Sequence, residues 1–519
     1  MSTDLLDVLV VGGGPTGTAL AIDLVRRGLN VRIIDKAAHA FDGSRAKGIQ
    51  PRSLEVFYDL GALDDILAAG ATYPPLGIHL GPFCIPWSMI PLREPTIDVP
   101  YSNTWLIPQH RTDGALHARL QRLGRDVEFG RELVGFEQGP DEIVATVAGT
   151  NDSEVIRARY LVGADGGSST VRRTLGIDFH GSTKEEDRIV IVDATVSGLS
   201  RDRWHVWPGG SGRFVGACPL PNSEQFQWMI RLRPDEEPPL DEDRIVERIH
   251  NRTRDKRIRL SEITWKSVYR PNIRLAERYR VGRALLAGDA AHVHPPTGAQ
   301  GLNTGLQDAY NLGWKLGQVL AGAPDMLLDT YEAERLPVAA AVLKLSTKKY
   351  EGISKLDPAS IKRGKDERQL NLRYSGGPLA PANTEGTATL QIGDRAPDAK
   401  LLNAAGGSLR LFEVMQGPQF TAIAWGPDAA ADLKTLPWPT SGASLTRVAV
   451  DAGVNADADV VLADITGTFQ RIYGLLNPTL MLIRPDGYIG SIATADRAGF
   501  TQTLVQAMTP PIANTQLQS

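Results

Sequence analysis

The stretch VLVVGGGPTG, residues 8–17, decides the fold of this chain. Its unbroken apolar run is typical of a strand that is buried on both faces, as in a parallel sheet. The glycines fit the pattern G-x-G-x-x-G, and the residues after them place Leu20 and Leu24 on one face of a helix. This order of strand, glycine turn and helix predicts a dinucleotide-binding unit.

A second strand and an acidic residue complete this unit. Residues 31–34 form an apolar strand that ends at Asp35. We expect the carboxylate of Asp35 to accept hydrogen bonds from ribose hydroxyls, and the N-terminus of the helix to face the pyrophosphate. Gly12 and Gly14 leave room for the pyrophosphate, and Gly17 lets the helix approach the strand. The glycines alone do not distinguish NAD from FAD.

Two later stretches also read as junctions between a strand and a helix. Residues 158–169 form a strand and then a turn that begins at Asp165. Residues 284–289 form a short apolar strand that ends at Gly288 and Asp289. A loop rich in proline and glycine follows, and then a long helix that begins near Gly301. The N-terminus of such a helix is a favourable place for partial negative charge.

His292 and His294 form with Asp289 the pattern D-x-x-H-x-H, which looks like a metal cluster. Prolines follow these residues at once, and we predict that no metal binds here. His292 is instead expected to stabilise the backbone of the loop.

Together the three motifs resemble the class A flavoprotein monooxygenases, the p-hydroxybenzoate hydroxylase-like group of FAD-dependent aromatic hydroxylases. Within this group the chain looks most similar to aromatic-polyketide hydroxylases, 3-(3-hydroxyphenyl)propionate hydroxylase and rifampicin monooxygenase. The resemblance covers about residues 5–350, and the C-terminal part less clearly.

The resemblance implies a tightly but non-covalently bound FAD. By this similarity Arg45 lies near the flavin and the pyrophosphate, and Asp289 bonds a ribityl hydroxyl. The backbone N–H groups of Leu302 and Asn303 face the pyrimidine edge of the flavin, where reduced flavin carries negative charge. The residues implied to bind the cofactor are Gly12, Gly14, Pro15, Thr16, Gly17, Asp35, Lys36, Arg45, Gln109, Asp165, Gly288, Asp289, Gly301, Leu302 and Asn303.

One position departs from the family pattern. The loop of the family commonly reads P-x-G-G-Q-G, whereas Ala299 stands here at the second glycine of the pair. If the backbone at this position needs a positive φ, an alanine is strained there.

The implied reaction is the hydroxylation of a phenolic or polyketide-like aromatic substrate. In such enzymes NAD(P)H binds transiently and reduces FAD, and O2 then forms a C4a-hydroperoxyflavin that transfers its distal OH group to the ring. The family needs no nucleophilic side chain, so no catalytic residue is assigned. Baeyer–Villiger oxidation or epoxidation on the same flavin site, a flavin-dependent reductase and a non-enzymatic FAD scaffold remain alternatives.

Residues 181–275 read as a β-rich substrate domain, with strands at 188–194, 203–207, 213–218 and 225–232. In the last of these, alternation places Trp228 on one face, and Gln227 and Met229 on the other. The resemblance implies that this sheet covers the substrate face of the flavin. The candidate substrate contacts are Trp204, Trp207, Arg213, Phe214, Cys218, Trp228 and Pro295. The alternative is the core of the sheet for the aromatic residues, and a solvated surface for the arginine.

The predicted fold is α/β, with a discontinuous, Rossmann-like FAD-binding domain at residues 1–180 and 276–356. The substrate domain is inserted into it, and residues 357–390 form a helical linker. Residues 391–519 resemble a thioredoxin-like domain. No cysteine lies beyond Cys218, so thiol redox chemistry is not expected there, and the domain is interpreted as structural or as an oligomer contact.

The composition favours a cytoplasmic protein. The 519 residues include 60 acidic and 56 basic ones, a net charge of −4 that gives no reason to expect a nucleic acid or a membrane as partner. No apolar stretch is long enough to span a bilayer, and the first residues do not read as a signal peptide. We expect a monomer or a homodimer, with a small aromatic substrate and O2 as its partners.

Overall fold

The computed structural model of the chain describes residues 5–210, 213–295, 298–354, 360, 364–381, 386–453, 456–494, 497 and 499–509. The first part of the chain contains β1 Leu6–Val11, α1 Pro15–Val25, β2 Val31–Asp35, β3 Gly48–Ile49, α2 Pro51–Leu60, α3 Leu63–Ala69, β4 Ala71–Thr72, β5 Leu76–Leu80, β6 Phe83–Trp87, β7 Trp105–Leu106, α4 Gln109–Arg122, β8 Val127–Phe129, β9 Glu132–Gln138, β10 Ile143–Ala148, β11 Ser153–Gly163, α5 Thr170–Thr174 and β12 Phe179–Thr183. The middle part contains β13 Ile189–Ser197, β14 Trp204–Pro208, β15 Phe214–Pro219, β16 Gln225–Arg231, α6 Glu242–Thr253, β17 Arg259–Tyr269, β18 Asn272–Ala276, β19 Arg280–Val281, β20 Ala284–Leu286, β21 His292–Val293, α7 Gly301–Leu320 and α8 Asp329–Ser354.

The last part contains β22 Lys400–Asn403, β23 Ser408–Arg410, α9 Leu411–Met415, β24 Phe420–Trp425, α10 Pro427–Ala430, β25 Leu445–Val450, β26 Val460–Ala463, α11 Thr468–Tyr473, β27 Thr479–Ile483, β28 Ile489–Ala493 and α12 Gln502–Met508. Short 3-10 helices lie at Gly288–Ala290, Asp325–Leu328, Asp366–Arg368 and Leu433–Thr435. None of the described helices combines the length and the apolar character that crossing a bilayer requires.

The first sheet carries the motifs of the sequence. Its strand order is β19-β20-β11-β1-β2-β8, with β10 and β9 attached beyond β11. β1 runs parallel to β2 and to β11, with Val8 opposite both Val31 and Tyr160. Val8, Leu9 and Val10 are completely buried, which explains the unbroken apolar run. The predicted parallel unit of strand, glycine turn, helix and strand is therefore confirmed.

The second sheet has the strand order β17-β13-β16-β15-β14-β5-β6. The four predicted strands are present as β13 to β16. Two further strands, β5 and β6, join the sheet from residues 76–87, and β5 pairs in parallel with β14. The sheet is therefore not built from residues 181–275 alone. One of its faces buries a hydrophobic core that includes Ile245 and Ile249 of α6.

The third sheet, in the order β23-β22-β26-β25-β24-β27-β28, lies in the C-terminal unit. Its centre is parallel, from β26 through β25 to β24, whereas β27 and β28 form an antiparallel edge. The predicted hairpin at residues 479–492 is present as β27 and β28. The predicted last helix begins later than expected, at Gln502, and its expected start near Asp496 lies outside the described residues. Trp314 of α7 packs in the same hydrophobic cluster as Phe420 of β24 and so joins the unit to the first domain.

Candidate functional site

The glycine turn after β1 is shaped by contacts within the protein. Gly12 has a φ of +112°, and a Cβ added there would lie 2.3 Å from the carbonyl oxygen of Ala164. A Cβ on Gly17 would lie 1.9 Å from the carbonyl oxygen of Gly12. Only glycine therefore lets α1 start so close to the strands. Around Gly14, by contrast, no described atom lies within 4 Å of an added Cβ, which leaves open space at the start of the helix.

The N-terminus of α1 fits a pyrophosphate. Pro15 stands in its first turn, and no side chain of the described residues caps this helix. The N–H groups of the first turn are thus free to bind an anion. The hydroxyl oxygen of Thr16 lies 2.6 Å from the Cβ position of Gly288 and 2.5 Å from that of Gly305. Thr16 therefore links the first motif to the third.

Asp35 lies beside the glycine turn. Its Oδ2 accepts a hydrogen bond from the backbone N–H of Gly13 at 2.7 Å, and its Oδ1 accepts one from Ala37 at 2.8 Å. The side chain is partly exposed and the neighbouring Lys36 is exposed, so both are accessible to a nucleotide. Asp35 thus also holds the glycine turn in place, in addition to its expected role toward the ribose.

Helix α4 adds residues that sequence reasoning missed. A ring nitrogen of His117 lies 2.9 Å from the carbonyl oxygen of Gly13. Asp113 is buried one turn earlier, and burial raises the pKa of this carboxyl to about 8, against a hydrogen bond from Gln109 that lowers it. Gln109, which the resemblance implied, lies one further turn back. The four-residue spacing of the three side chains was the signal that identifies this helix face.

The second motif, which begins at Asp165, is connected by hydrogen bonds to the third motif, which begins at Gly288. The Oδ2 of Asp165 accepts hydrogen bonds from the backbone N–H groups of Thr170 and Val171, at 2.7 and 3.2 Å, and so fixes the start of α5. Arg172 of this helix donates to the carbonyl oxygen of Ala290 at 2.8 Å. In this structure Asp165 therefore orders the turn.

Asp289 is an exposed carboxylate at the end of β20, and no hydrogen bond to it is found among the described residues. Its Oδ1 lies 3.8 Å from the Cβ position of Gly301, the first residue of α7. Arg45 is also exposed, and both residues lie near Tyr269. Burial and Asp289 raise the pKa of the Tyr269 hydroxyl, whereas Arg45 lowers it. An exposed carboxylate and an exposed guanidinium group therefore both lie near Tyr269.

The start of α7 is clamped to the loop that follows Arg45. The Oδ1 of Asn303 accepts from the backbone N–H of Gln50 at 2.8 Å, and its Nδ2 donates to the carbonyl oxygen of Gly48 at 2.8 Å. The Asn303 side chain is thus used within the protein. Gly301, Leu302 and Asn303 form the first turn, whose backbone N–H groups have no earlier helical partner.

Ala299 has a φ of +52°, in the left-handed region that favours glycine. The strain expected from its departure from the family pattern is therefore present. Gly298 before it has a φ of +90°.

His292 contacts side chains and not the loop backbone, so its predicted role was wrong. Its Nε2 lies 2.6 Å from Oδ2 of Asp308, and its Nδ1 lies 2.9 Å from Nε2 of His294. Asp308 also accepts a hydrogen bond from Arg335 at 2.7 Å. Burial raises the pKa of Asp308, but His292 and Arg335 lower it by more, so the net shift is downward. His294, His292, Asp308 and Arg335 thus form one chain of hydrogen-bonded side chains.

The predicted alternation of β16 is confirmed. On the face away from the buried core, Gln227 contacts Lys47, whose neighbour Gly48 is bonded to Asn303 of α7. Gln227 and Met229 pair with Cys218 and Gly216 of β15, and these residues share that face. Trp204 and Phe214 belong to it as well, because Trp204 lies against the Gly216 position and Phe214 alternates with Val215 of the core. We name this surface the substrate-side face.

Two tryptophans expected at the substrate lie on the opposite face. Trp207 and Trp228 stack with their ring centroids 6.0 Å apart inside the hydrophobic core under α6. Arg213 donates a hydrogen bond to the carbonyl oxygen of Gly210 at 2.7 Å and is partly exposed, as its alternative interpretation predicted. Pro295 is buried directly after His294.

The substrate-side face also holds charged groups that sequence reasoning missed. Lys47 is buried, and its Nζ contacts the Oε1 of Gln227. Asp193 of β13 is buried and accepts hydrogen bonds from the backbone N–H and the hydroxyl of Ser44, at 2.7 and 2.6 Å. The loop from Ser44 to Gly48 therefore joins the second sheet to the start of α7.

Comparisons with known proteins agree with this geometry. Residues 5–346 match the family described as FAD binding domain. A flavin-dependent monooxygenase of Mycobacteroides abscessus is 40% identical over 499 residues, covering 95% of this chain and 98% of that protein. A rifampicin monooxygenase of Streptomyces venezuelae is 39% identical over 353 residues, covering 65% of this chain and 70% of that protein.

A solved structure supports the same assignment. The ternary complex of aklavinone-11 hydroxylase with FAD and aklavinone superimposes with a TM-score of 0.81 at 26% identity, and the match covers 98% of this chain and 99% of that one. The resemblance drawn from the three motifs is thus confirmed. The chain belongs to the FAD binding domain family, and its relatives there are flavin-dependent monooxygenases.

Proposed function

We propose that the protein is a monooxygenase that uses FAD, NAD(P)H and O2 to hydroxylate a phenolic or polyketide-like aromatic ring. One observation carries this proposal: Asn303 of α7 binds the carbonyl oxygen of Gly48, and the adjacent Lys47 contacts Gln227 of the second sheet. Two adjacent residues, Lys47 and Gly48, thus link Gln227 of the substrate-side face to Asn303, which is implied to hold the flavin.

When bound and reduced by NAD(P)H, FAD would activate O2, so that one oxygen atom of O2 enters the ring and the other leaves as water. The chain provides the binding groups for this chemistry. The N-terminus of α1 would hold the pyrophosphate, and the carboxylate of Asp289 would accept a hydrogen bond from a ribityl hydroxyl. The positive end of the α7 dipole, at Gly301, stabilises negative charge on the pyrimidine edge.

The substrate-side face orients the ring and excludes water. Trp204, Phe214 and Met229 are half-buried there, so their apolar surface is available to a flat aromatic molecule. A dry, oriented site favours transfer of oxygen to the ring over its loss to water. The superimposed complex contains FAD and aklavinone, and one relative is a rifampicin monooxygenase, which supports a polyketide-like substrate.

NAD(P)H is proposed to bind transiently. The sequence holds one G-x-G-x-x-G stretch after a strand, and the first domain uses it for FAD. A reductant without its own nucleotide domain would bind, transfer its hydride and leave.

The C-terminal unit is proposed to be thioredoxin-like and structural. Its parallel centre with an antiparallel edge, and Pro478 directly before β27, support this assignment. Both cysteines of the chain, Cys84 and Cys218, lie outside it, so it has no thiol for redox exchange.

The test begins with purified protein, which should be yellow and release FAD on denaturation. NADH and NADPH oxidation is then followed with a panel of phenols and hydroxylated polycyclic quinones, and products formed under 18O2 are analysed by mass spectrometry. The proposal requires a product with one 18O atom in a ring hydroxyl. An ester or epoxide product, or reduction without oxygen incorporation, would replace it with one of the alternative reactions.

A further inference from the structure

Lys47 is a buried cation without a buried anion bound to it. Its residue is 9% exposed, and among the described residues no carboxylate oxygen lies within 4.0 Å of Nζ. Its Nζ contacts the amide oxygen of Gln227, the thiol of Cys218 and the ring of Trp204, whose centroid lies 4.4 Å from Nζ. A charge removed from water in this way needs an anion or loses its proton.

Two other titratable groups, Asp193 and Cys218, face Lys47, and each favours the charged form of the lysine less than burial opposes it. Asp193 lies on β13, and both of its oxygens accept hydrogen bonds from Ser44. Cys218 lies on β15, and burial raises the pKa of its thiol, although Lys47 lowers it. Burial lowers the pKa of Lys47 itself, against weaker opposing effects of Cys218 and Asp193. Burial therefore favours the neutral amine over the ammonium form.

A second unpaired donor lies beside the lysine. The indole Nε1 of Trp204 is buried and has no hydrogen-bond partner among the described residues. It lies 3.4 Å from the Cβ position of Gly216, on the substrate-side face. An unpaired buried donor is costly, which indicates an acceptor that arrives with a ligand.

We propose that Lys47 is the residue that ionises and binds the substrate: it accepts the proton of an acidic aromatic hydroxyl and holds the resulting oxyanion, while Trp204 donates to a neighbouring oxygen. The O–H bond of the phenol breaks and an N–H bond forms, so that a phenolate and an ammonium replace two neutral groups. The substrate class is a fused aromatic compound with an acidic hydroxyl next to a second oxygen. This inference rests on the proposed function, because ionisation makes the ring more electron-rich and so more reactive toward an electrophilic oxygen.

The test uses FAD-loaded protein and binding alone. The probe is alizarin, 1,2-dihydroxyanthraquinone, whose colour changes when it ionises, and its dimethyl ether is the matched ligand without an acidic hydroxyl. Binding is measured at a pH below the pKa of the free dye. Alizarin bound to the wild-type protein should show the spectrum of its anion. The wild type should bind the ether at least about tenfold more weakly than alizarin.

Lys47→Met should bind alizarin as the neutral dye, and its affinity should be at least about tenfold weaker than that of the wild type. Trp204→Phe should retain the anion spectrum and lose affinity only, because the ring remains and the donor is lost. Lys256→Met, at an exposed lysine between α6 and β17, is the matched control and should behave as wild type. FAD absorbance and circular dichroism of each variant establish that it is folded.

The proposal is overturned if wild type and Lys47→Met bind alizarin with the same spectrum and affinity, or if the wild type binds neither alizarin nor any other ortho-dihydroxylated anthraquinone. These outcomes are separate from the fate of the proposed function. A wild-type protein that forms no oxygenated product would refute the hydroxylase, yet the dye spectra would still report on Lys47. Oxygenation that proceeds unchanged in Lys47→Met would refute this inference alone.

Discussion

Glu334 of α8 accepts hydrogen bonds from both terminal nitrogens of Arg484, at 2.6 and 2.9 Å, where the first domain meets the C-terminal unit. Both side chains are completely buried. Glu334 also accepts from Lys315 of α7 at 2.8 Å, and Arg484 also contacts Asp486. Charges that have no access to water therefore connect the two parts of the chain.

Glu334→Gln is expected to destabilise the protein strongly. The substitution leaves Arg484 and Lys315 buried with less compensating charge, and breaking a buried pair in this way costs about 3–5 kcal/mol. Denaturant unfolding followed by circular dichroism measures the change. Glu351→Gln is the control, since Glu351 lies exposed on the same helix and its loss should change the free energy of unfolding by less than about 0.5 kcal/mol. Equal midpoints for Glu334→Gln and wild type would show that the junction does not depend on this pair.

Asp113 is expected to make stability fall with rising pH. Its pKa of about 8 lies above the ordinary 3.8, so the folded protein retains a proton that the unfolded chain releases. The associated stability is complete below about pH 4 and is lost progressively as the pH rises to about 8. Asp113→Asn should therefore gain stability relative to wild type at pH 8, and much less at pH 5.

Unfolding of the holoprotein at both pH values measures this effect. Asp141→Asn, at a carboxylate whose side chain is 95% exposed, should show no such difference. A gain for Asp113→Asn that is the same at pH 5 and pH 8 would mean that ionisation of Asp113 is not its cause.

Gly17→Ala is expected to abolish FAD binding. Its Cβ would meet the carbonyl oxygen of Gly12 at 1.9 Å, and the start of α1 would have to move away from β1. The ratio of flavin to protein absorbance after purification is the measurement. Gly114→Ala is the control, because Gly114 is exposed in α4 with no atom within 4 Å of its Cβ position. It should keep its FAD and gain up to about 1 kcal/mol of stability. A yellow Gly17→Ala protein would contradict the assigned role of this turn.

Ala299→Gly is expected to stabilise the loop before α7 by about 1 kcal/mol, because glycine adopts a φ of +52° without strain. Thermal unfolding of the FAD-loaded protein measures the gain. Glu262→Gly relieves a φ of +48° at an exposed site on β17 and should stabilise without altering the flavin spectrum. A lower melting temperature for Ala299→Gly would show that the methyl group packs usefully and that strain is the smaller effect.

The sequence was sufficient where local patterns and burial coincide. β1, its glycine turn and α1 were predicted closely, because an apolar run, three glycines and a helical repeat all occur within 20 residues. β5 and β6 were not assigned to the second sheet, since the partner of β5 lies on β14, more than 100 residues later. Nothing in a short strand states which distant edge it will join.

The site was predicted less well than the fold for a similar reason. Alternation correctly separated the two faces of β16, but it could not say which of them forms the core. Trp228 lies in the core, which was the alternative to a substrate contact. The sequence patterns did not single out Lys47 or Asp193. They are buried only because the second sheet closes over the loop from Ser44 to Gly48.

The positive φ of Ala299 has a further consequence for how this protein can vary. The methyl group of Ala299 lies 2.6 Å from where a Cβ at Gly48 would stand. The other near neighbour, at 2.9 Å, is the hydroxyl at the far end of the Tyr73 side chain, which donates to the carbonyl oxygen of Lys47. A side chain at position 48 is thus incompatible with the alanine but becomes feasible once position 299 is glycine. The two positions are expected to evolve as a pair, and mutant libraries that change one codon at a time will wrongly score position 48 as invariant.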